Sequence, residues 1–454
     1  MIAQKHLRQR LSSIRPIRVT NLRVVDLKFN GANPHVHSPK QVRQIAQSIQ
    51  EFGFCVPVLV DTRKQVIAGH GRLLACRLLG MTKVPTISLN HLTEAQSTAF
   101  LIADNRLTEN ATWNERILAE QFKALSLENL DFNLDVTGFD MGEIDLLIDG
   151  LSPVIESGKD PADALPNNKS GHVVTRPRDL WVLDRHRVVC GNALDAAAYE
   201  LVMNGKRAQL AITDPPFNVA IEGHAIGLGS IHHKEFAMAC GEMDQAAFTQ
   251  FLTKALTHLS HYSVKGSLHF ICMDWRHIGE LQAAGNAVYT ELKNLCVWVK
   301  DNAGMGSLYR SQHELVFVFK NGNAAHQNHI QLGQFGRYRS NVWNYPGVNS
   351  FSRTTDEGNL LELHPTVKPV AMIADAMLDC SSRGDIVLDA FLGSGTTVMA
   401  AERTGRICYG IEIDPLYVDT AIRRWQAYTG QTAVHGESGQ TFNGLEAERK
   451  CAHG

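Results

Sequence analysis

The sequence of 454 residues lacks two features that would place it in a membrane or in an oxidising compartment. No apolar run approaches the roughly 20 residues that a membrane-spanning helix needs, so we expect no membrane partner. The nine cysteines contain no C-x-x-C pair, and they fit small core residues better than a disulfide framework. These absences predict a soluble, cytoplasmic protein.

Acidic residues are absent from two stretches of the chain. The first 25 residues carry six Lys and Arg residues and no acid, which is typical of a solvated or DNA-contacting arm, with a transit peptide as the alternative. The segment from Lys320 to Arg353 also lacks acids, and it mixes basic residues with aromatic rings and amides. Such charge attracts phosphates and such rings stack on bases. The predicted DNA-binding residues are Lys320, Arg337, Tyr338, Arg339 and Arg353, and an irregular surface loop is the alternative interpretation.

The length exceeds what one hydrophobic core usually organises, so we expect at least two domains. From Val24 to Pro85 short strands alternate with helices, and helical patterning continues to about Gly150. Prolines and small polar residues then interrupt the periodicity from Ser152 to Gly171. The predicted parts are a small α+β domain with a helical extension (1–150), a linker (151–172), an α/β domain (173–430) and a flexible tail (431–454).

The first domain contains a strand followed by the turn Gly69-His70-Gly71-Arg72, which either holds an anion or serves only as a tight strand-to-helix turn. Residues 66–87, with Ala103 to Arg106 downstream, resemble the N-terminal ParB/sulfiredoxin-like domain. Members of that family that hydrolyse nucleotides carry G-E-R-R at this turn. Here Gly69 and Arg72 match that pattern while His70 and Gly71 depart from it, so we expect a binding or positioning module.

The second domain is organised around residues 210–217, an apolar run that ends in Asp214-Pro215-Pro216-Phe217. The run predicts a buried strand whose last residues leave the sheet, because proline donates no ladder hydrogen bond and fixes its own φ. Asp214 offers a carboxylate, Pro215 a carbonyl and Phe217 a flat apolar face. Together these groups suit a planar ring that carries an amino group.

A second motif follows near the C-terminus of the same domain. Residues 385–389 predict a buried strand, a glycine-rich turn with Gly393 and Gly395 follows, and a parallel strand ends at Glu412. The alternation of strands and helices predicts a doubly wound, Rossmann-like parallel sheet. No lysine follows Gly395 as in a P-loop, and one G-x-G is too few for a nicotinamide site. The motif therefore favours a nucleoside without phosphates, with Glu412 on the sugar.

Three motifs in this order resemble the β-class amino-methylating DNA methyltransferases: residues 214–217, the segment His364 to Pro369, and residues 389–397. The resemblance implies S-adenosylmethionine as cofactor, double-stranded DNA as substrate and a flipped target base. It implies a catalytic group of Asp214, Pro215, Pro216 and Phe217. It implies a cofactor group of Asn192, Thr366, Lys368, Pro369, Asp389, Phe391, Gly393, Ser394, Gly395, Thr396, Thr397, Glu412 and Asp414.

Asp214 before the two prolines favours the N6 amino group of adenine, because the family tends to carry serine there for N4 of cytosine. Cytosine methylation stays open, as does a non-enzymatic ParB-like DNA-binding regulator. Methylation of RNA or protein is a further alternative. Members of the class often dimerise, and a cognate restriction enzyme is a further partner that the resemblance allows. No metal is expected, because adjacent His232 and His233 point apart and lack further ligands.

Overall fold

The computed structural model describes residues 17–128, 130–151, 160–164, 173–218, 241–303, 308–333, 337–347 and 367–451. The chain separates into two compact units, Met1–Leu151 and Ser152–Gly454. Within the described ranges, no helix is both long and apolar enough to cross a membrane.

The first unit is a four-stranded mixed sheet with five helices. Its strands lie in the order β1-β4-β2-β3, and its elements are β1 (Val19–Arg23), α1 (Pro39–Phe52), β2 (Val58–Val60), β3 (Val66–Ala68), α2 (His70–Leu78), β4 (Lys83–Ser88), α3 (Glu94–Glu109), α4 (Glu115–Leu127) and α5 (Met141–Asp149). Helix α1 begins where the Ser38 side chain accepts a hydrogen bond from the Gln41 amide and ends at Gly53, whose φ is +77°. A capping serine before proline and a glycine with positive φ are typical ends of a helix.

The first unit buries two separate apolar clusters. One lies under the sheet and includes Val58, Val66, Leu73 and Val84, all fully buried. The other joins α4 to α5 around Phe122 and Ile144. The helical extension that the sequence predicts therefore has a core of its own.

The second unit is a ten-stranded sheet flanked by helices. Its strands lie in the order β11-β9-β10-β8-β7-β12-β13-β6-β5-β14. Its elements are β5 (Leu180–Leu183), β6 (His186–Cys190), α6 (Ala196–Met203), β7 (Ala208–Thr213), α7 (Gln245–His261), β8 (Ser263–Met273), α8 (Ile278–Val288), β9 (Glu291–Val299), β10 (His313–Lys320), β11 (Val342–Asn344), α9 (Val370–Cys380), β12 (Ile386–Asp389), α10 (Thr396–Thr404), β13 (Ile407–Glu412), α11 (Pro415–Thr429), β14 (Val434–His435) and α12 (Phe442–Cys451).

The middle of this sheet, β8-β7-β12-β13-β6, is parallel. Apolar clusters cover both of its faces, as burial by helices on two sides requires. The Rossmann-like α/β fold is confirmed, with antiparallel strands added at both edges: β10 beside β8, and the hairpin β5–β6 with β14.

The direction of β10 matters for the site. It runs antiparallel to both β8 and β9, and its residues Leu315 and His313 pair with Met273 and Val299, the last residues of those strands. The start of β10 therefore lies at the same sheet edge as the carboxyl end of β7, which carries Asp214. We call this edge the carboxyl edge.

The predicted linker is partly built into the second unit. Ala162 is fully buried, the Asp163 carboxylate accepts a hydrogen bond from the Val370 amide at 2.9 Å, and Asp160 pairs with Arg403 at 2.5 Å. Residues 160–164, the strap, are therefore a fixed part of the α/β unit.

The predicted flexible tail is wrong for residues 431–451. Strand β14 pairs with β5. The ring of Phe442, at the start of α12, is fully buried and lies edge-on to Trp181 with 5.1 Å between ring centroids. The sequence gives little sign of this attachment, because the segment is polar apart from a few residues such as the buried Phe442.

Candidate active site

Asp214 lies directly after β7, where the two prolines take the chain out of the sheet. Its Oδ2 accepts a 2.5 Å hydrogen bond from the Lys368 ammonium. Its Oδ1 is buried and has no hydrogen-bond partner within the described part of the chain. A buried carboxylate oxygen without a donor is costly, so this atom is a strong candidate to receive a donor from a ligand.

Lys368 is the central cation of the site. Only 5% of its side chain is exposed, and its Nζ lies 3.1 Å from Glu314 Oε2 as well as against Asp214. The ammonium also lies 5.5 Å from the ring centre of Phe217. The two carboxylates raise the pKa of Lys368 against the opposing effect of burial, and the lysine stays charged. The resemblance had assigned Lys368 to the cofactor, and the structure pairs it with Asp214.

The residues after Asp214 are held by a contact that the sequence analysis did not identify. The Asn218 side chain donates to the carbonyl of Met243 and accepts from the amides of Gly241 and Met243. Asn218 has a positive φ of 51°, a conformation that asparagine tolerates better than most residues. The end of the Asp-Pro-Pro-Phe segment is thereby tied to the chain that leads into α7.

The glycine-rich turn after β12 is organised by Asp389. Its Oδ1 accepts from the hydroxyl of Thr213 and the amide of Phe391, and its Oδ2 accepts from the hydroxyl of Thr397. Burial raises the pKa of Asp389 to about 6. The protein supplies three donors to these two oxygens, and this arrangement shapes the turn. The role of Asp389 and Thr397 as cofactor ligands stays a prediction.

Glu412 ends β13 beside that turn. One of its carboxylate oxygens accepts from the Gly393 amide at 2.7 Å, and the other accepts from the Asp414 amide at 2.9 Å. Burial raises the pKa of Glu412 to about 7. Each oxygen keeps a lone pair, so the carboxylate can accept two hydroxyl donors, as the cis-diol of a ribose requires.

Several predicted cofactor residues near this turn form hydrogen bonds or close packing contacts inside the protein. Arg424 on α11 is buried, and it donates to the carbonyl of Ser394, to the hydroxyl of Thr396 and to the carbonyl of Ala162 in the strap. Asp414 caps the start of α11 through the Leu416 amide. Gly395 has a φ of +85°, and a Cβ there would lie 2.6 Å from Ala421. The sequence analysis did not identify Arg424, because a buried arginine leaves no periodic signature.

The remaining predicted cofactor residues, Asn192, Pro369 and Phe391, lie at the carboxyl edge. Gly191, after β6, is tied to β13 by a hydrogen bond from its amide to the Glu412 carbonyl, which sets Asn192 beside that strand. Asn192 uses its carbonyl oxygen on the Leu194 amide and keeps its NH₂ donors. Pro369 is buried and precedes α9, and Phe391 is partly buried against the apolar cluster that contains Phe251. Thr366 lies outside the described residues.

Arg337 and Arg339, which the sequence predicts as DNA contacts, are engaged in ion pairs within the protein. Both guanidinium groups pair with Asp375 and Asp379 on α9, at distances from 2.9 to 3.3 Å. The two carboxylates raise the pKa of both arginines against the effect of burial. These arginines fasten the acid-free segment to the α/β unit, and their charge is neutralised there.

Lys320, which the sequence also predicts as a DNA-binding residue, lies away from the carboxyl edge. It ends β10 and pairs with Leu268 and Glu291, which places it at the far edge of the sheet. Six residues of strand separate it from Glu314, about 20 Å at 3.4 Å per residue. Tyr338 is 83% exposed and remains a candidate surface residue, and Arg353 lies outside the described residues, as do His232 and His233.

In the first unit, the turn after β3 begins α2. Gly69 has a φ of +97°, and the Arg72 guanidinium donates to the Val56 carbonyl at 3.2 Å. Gly71 packs so closely that a Cβ would lie 2.9 Å from Ile45. Arg72, Val56 and Ile45 also line a cavity with the end of α1 and residues 136–138. The turn therefore has a packing role, whether or not the cavity holds a ligand.

Three family models match this chain. Residues 208–423 match the N6/N4 family described as DNA methylase, residues 9–106 match the ParB N-terminal domain, and residues 116–177 match the ParB-methyltransferase HTH domain. The last match covers α4, α5 and the strap, a part that the sequence analysis had described as a helical extension followed by a linker.

Individual proteins are similar either to the ParB-type part or to the methylase part of this chain. The ParB-like nuclease domain-containing protein YnaK of Escherichia coli is 47% identical over 64 residues, which are 14% of this chain and 74% of YnaK. The DNA adenine methyltransferase YhdJ of Escherichia coli is 26% identical over 255 residues, covering 51% of this chain and 80% of YhdJ. The solved complex of M1.HpyAVI with S-adenosylmethionine covers 52% of this chain and 97% of its own, at 18% identity and a TM-score of 0.37.

The DNA methylase match lies inside the second unit and contains Asp214, Glu314, Lys368, Asp389 and Glu412. The chain therefore carries an N6/N4 DNA methylase domain of the S-adenosylmethionine-dependent kind, with ParB-type domains at its N-terminal side.

Proposed function

We propose that the protein transfers the methyl group of S-adenosylmethionine to the N6 amino group of an adenine flipped out of double-stranded DNA. The observation that carries this proposal is the state of Asp214. One of its oxygens is held by Lys368, and the other is buried at the carboxyl edge and receives no donor from the described part of the chain. An exocyclic amino group is the donor that fits such an atom.

The chemistry needs help from the protein because the lone pair of an adenine amino group is delocalised into the ring. A hydrogen bond from N6 to Asp214 Oδ1 and a second one to the Pro215 carbonyl would localise that pair. The two prolines make the pair of acceptors rigid, since each fixes its own φ. Orientation of this kind supplies up to roughly 7–11 kcal/mol of a barrier.

The donor set also fits the cofactor. S-adenosylmethionine supplies an electrophilic methyl group on a sulfonium. Glu412 would accept hydrogen bonds from its ribose, Asn192 and Phe391 are the candidates for its adenine, and the bare backbone at Gly393 allows close approach. Asp389, Thr397 and Arg424 would act indirectly, by holding the turn in shape.

The duplex must approach the carboxyl edge, because a base inside the duplex is inaccessible and has to be flipped. Exposed aromatic and basic side chains lie at this edge. Trp275 follows β8 and is 50% exposed, with Arg276 stacked over it at 5.6 Å. Tyr309 and Arg310, which precede β10, are also exposed. We assign the DNA contact to these residues, in place of Lys320, Arg337 and Arg339.

Asp214→Ala tests the proposal. Purified wild-type and variant proteins are given radiolabelled S-adenosylmethionine and genomic DNA from a methylation-free host, and the modified nucleoside is identified by mass spectrometry. We expect N6-methyladenine from the wild type, and a loss of at least about 100-fold in the variant with cofactor binding retained. N4-methylcytosine would contradict the base assignment, and an active Asp214→Ala variant would contradict the mechanism.

A further inference from the structure

Four charged side chains form a chain of ion pairs beneath the candidate active site. Lys300 Nζ lies 2.5 Å from Glu314 Oε1, Lys368 Nζ lies 3.1 Å from Glu314 Oε2, and Lys368 Nζ lies 2.5 Å from Asp214 Oδ2. Two cations alternate with two carboxylates, so the network is neutral overall. Neither the three motifs nor the resemblance picks out Glu314 or Lys300, and of these two only Glu314 contacts Lys368.

We propose that Glu314 is a positioning residue for methyl transfer, which holds the Lys368 ammonium so that it occupies only one oxygen of Asp214. This inference rests on the proposed function. A lysine has a long side chain with many rotamers, and an unrestrained ammonium could reach both oxygens of one carboxylate. With Glu314 as a second anchor, the ammonium is fixed between two carboxylates, and Asp214 Oδ1 stays available to the amino group.

The position of Glu314 is itself well defined. It lies on β10 opposite Trp298 on β9, and only 8% of the residue is exposed. The Trp298 indole donates to the Tyr345 carbonyl, and both ammonium groups lie over its ring, Lys300 at 4.6 Å and Lys368 at 5.9 Å. The ring therefore limits where both cations can move.

A role in stability alone explains this arrangement poorly. Glu314 places a buried charge near the start of a strand whose next five residues, Leu315 to Phe319, are all buried and apolar. A well-packed apolar side chain usually serves stability as well as a buried ion pair does. The place of the network is specific, because it ends on the carboxylate that receives the substrate.

The network also gives a pH signature. Burial raises the pKa of Asp214, the cations Lys368 and Lys300 oppose that rise, and Glu314 adds to it. Among the described residues, Cys272 on β8 and Asp389 on β12 also interact electrostatically with Asp214. Removing the charge of Glu314 should lower the pKa of Asp214, while removing the charge of Lys368 should raise it.

The test compares single-turnover methylation rates from pH 5 to 9 for the wild type, Glu314→Gln, Glu314→Asp and Lys368→Met. Glu402→Gln is the control, because Glu402 is another part-buried glutamate bound to two donors, His186 and Trp425, outside the network. We expect Glu314→Gln to lose about 10- to 100-fold in rate, with binding of cofactor and DNA changed less than about threefold.

The acid limb of the rate profile should move to lower pH in Glu314→Gln and to higher pH in Lys368→Met. Glu314→Asp, which keeps the charge with a shorter reach, should restore the position of the limb and part of the rate. A wild-type rate in Glu314→Gln overturns the proposal. So does a lost rate with an unmoved acid limb, because that result describes a structural residue. If Glu314→Gln does not fold, the limb and rate of Glu314→Asp decide. Absence of methylation by the wild type would overturn the proposed function itself.

Discussion

At the scale of single residues, the site depends on carboxylates whose burial is only partly compensated. Asp214, Asp389 and Glu412 follow three neighbouring parallel strands, and burial raises the pKa of each. They differ in what occupies their oxygens. Asp389 accepts three hydrogen bonds from the protein, Glu412 accepts two amides, and Asp214 Oδ1 receives no donor from the described residues. Under the proposed function, this gradation distinguishes a scaffolding acid from the acceptor for the ribose and the acceptor for the base.

Glu412 gives a prediction about pH. Because its folded-state pKa is raised to about 7, the carboxyl group is largely protonated below that pH and ionised above it. An ionised carboxylate accepts two hydroxyl donors, whereas a neutral acid must give up one of those contacts. We expect cofactor binding, measured by calorimetry, to tighten as pH rises from 6 to 8. Glu412→Gln should bind more weakly and lose this part of the pH dependence, and an equal dependence in both proteins would contradict the role.

The residue scale also shows where the sequence was sufficient and where it failed. The strand ends at Asp214 and Glu412 could be predicted, because apolar runs, prolines and glycines mark them locally. The fate of Arg337 and Arg339 could not, because the acids that neutralise them lie about 40 residues away on α9. The pairing of Glu314 with Lys368 likewise depends on strand order, which periodicity does not encode.

At the scale of elements, the α/β unit is completed by segments from outside its predicted limits. The strap packs Ala162 against Arg424 and caps α9 through Asp163, just after Lys368 and Pro369. The C-terminal segment adds β14 and α12 beside the hairpin β5–β6. The strands that end at Asp214, Asp389 and Glu412 followed from the sequence, whereas these attachments follow from tertiary contacts of a few buried side chains.

Phe442 tests whether the C-terminal segment is part of the fold. Its fully buried ring contacts Trp181, and the Arg423 guanidinium lies 5.0 Å from its centre. We expect Phe442→Ala to lower the free energy of unfolding of the α/β unit by about 3–5 kcal/mol, measured by urea denaturation. Tyr428→Ala is a suitable control, because that ring is 41% exposed. A change below about 1 kcal/mol in Phe442→Ala would restore the idea of a loose tail.

At the scale of the whole molecule, the net charge of −2 offers no general attraction to DNA, so any attraction must be local. The acid-free segment suggested one location from composition alone. The structure neutralises two of its arginines and puts Lys320 at the far edge of the sheet. Exposed Arg276 and Arg310 lie instead at the carboxyl edge, beside the candidate active site.

This charge distribution predicts which cation matters for DNA. Arg276→Ala should weaken binding to duplex DNA and reduce the slope of log K against log salt by about 1, because one phosphate contact is lost. Lys320→Ala removes the same charge from the opposite edge and should change neither quantity appreciably. Fluorescence anisotropy at several salt concentrations measures both. Equal effects of the two substitutions would mean that the carboxyl edge is not the DNA-binding face.

The strap has a practical consequence for dividing this gene or exchanging its modules. A fragment that begins at residue 173, where the sequence suggested that the catalytic part starts, would leave the buried Arg424 without the Ala162 carbonyl and α9 without its cap. A shuffled or truncated enzyme should therefore be joined upstream of Asp160. Among the described residues of the apparent linker, 160–163 already make buried hydrogen bonds and ion pairs with the α/β unit, so the boundary that matters for recombination lies upstream of them.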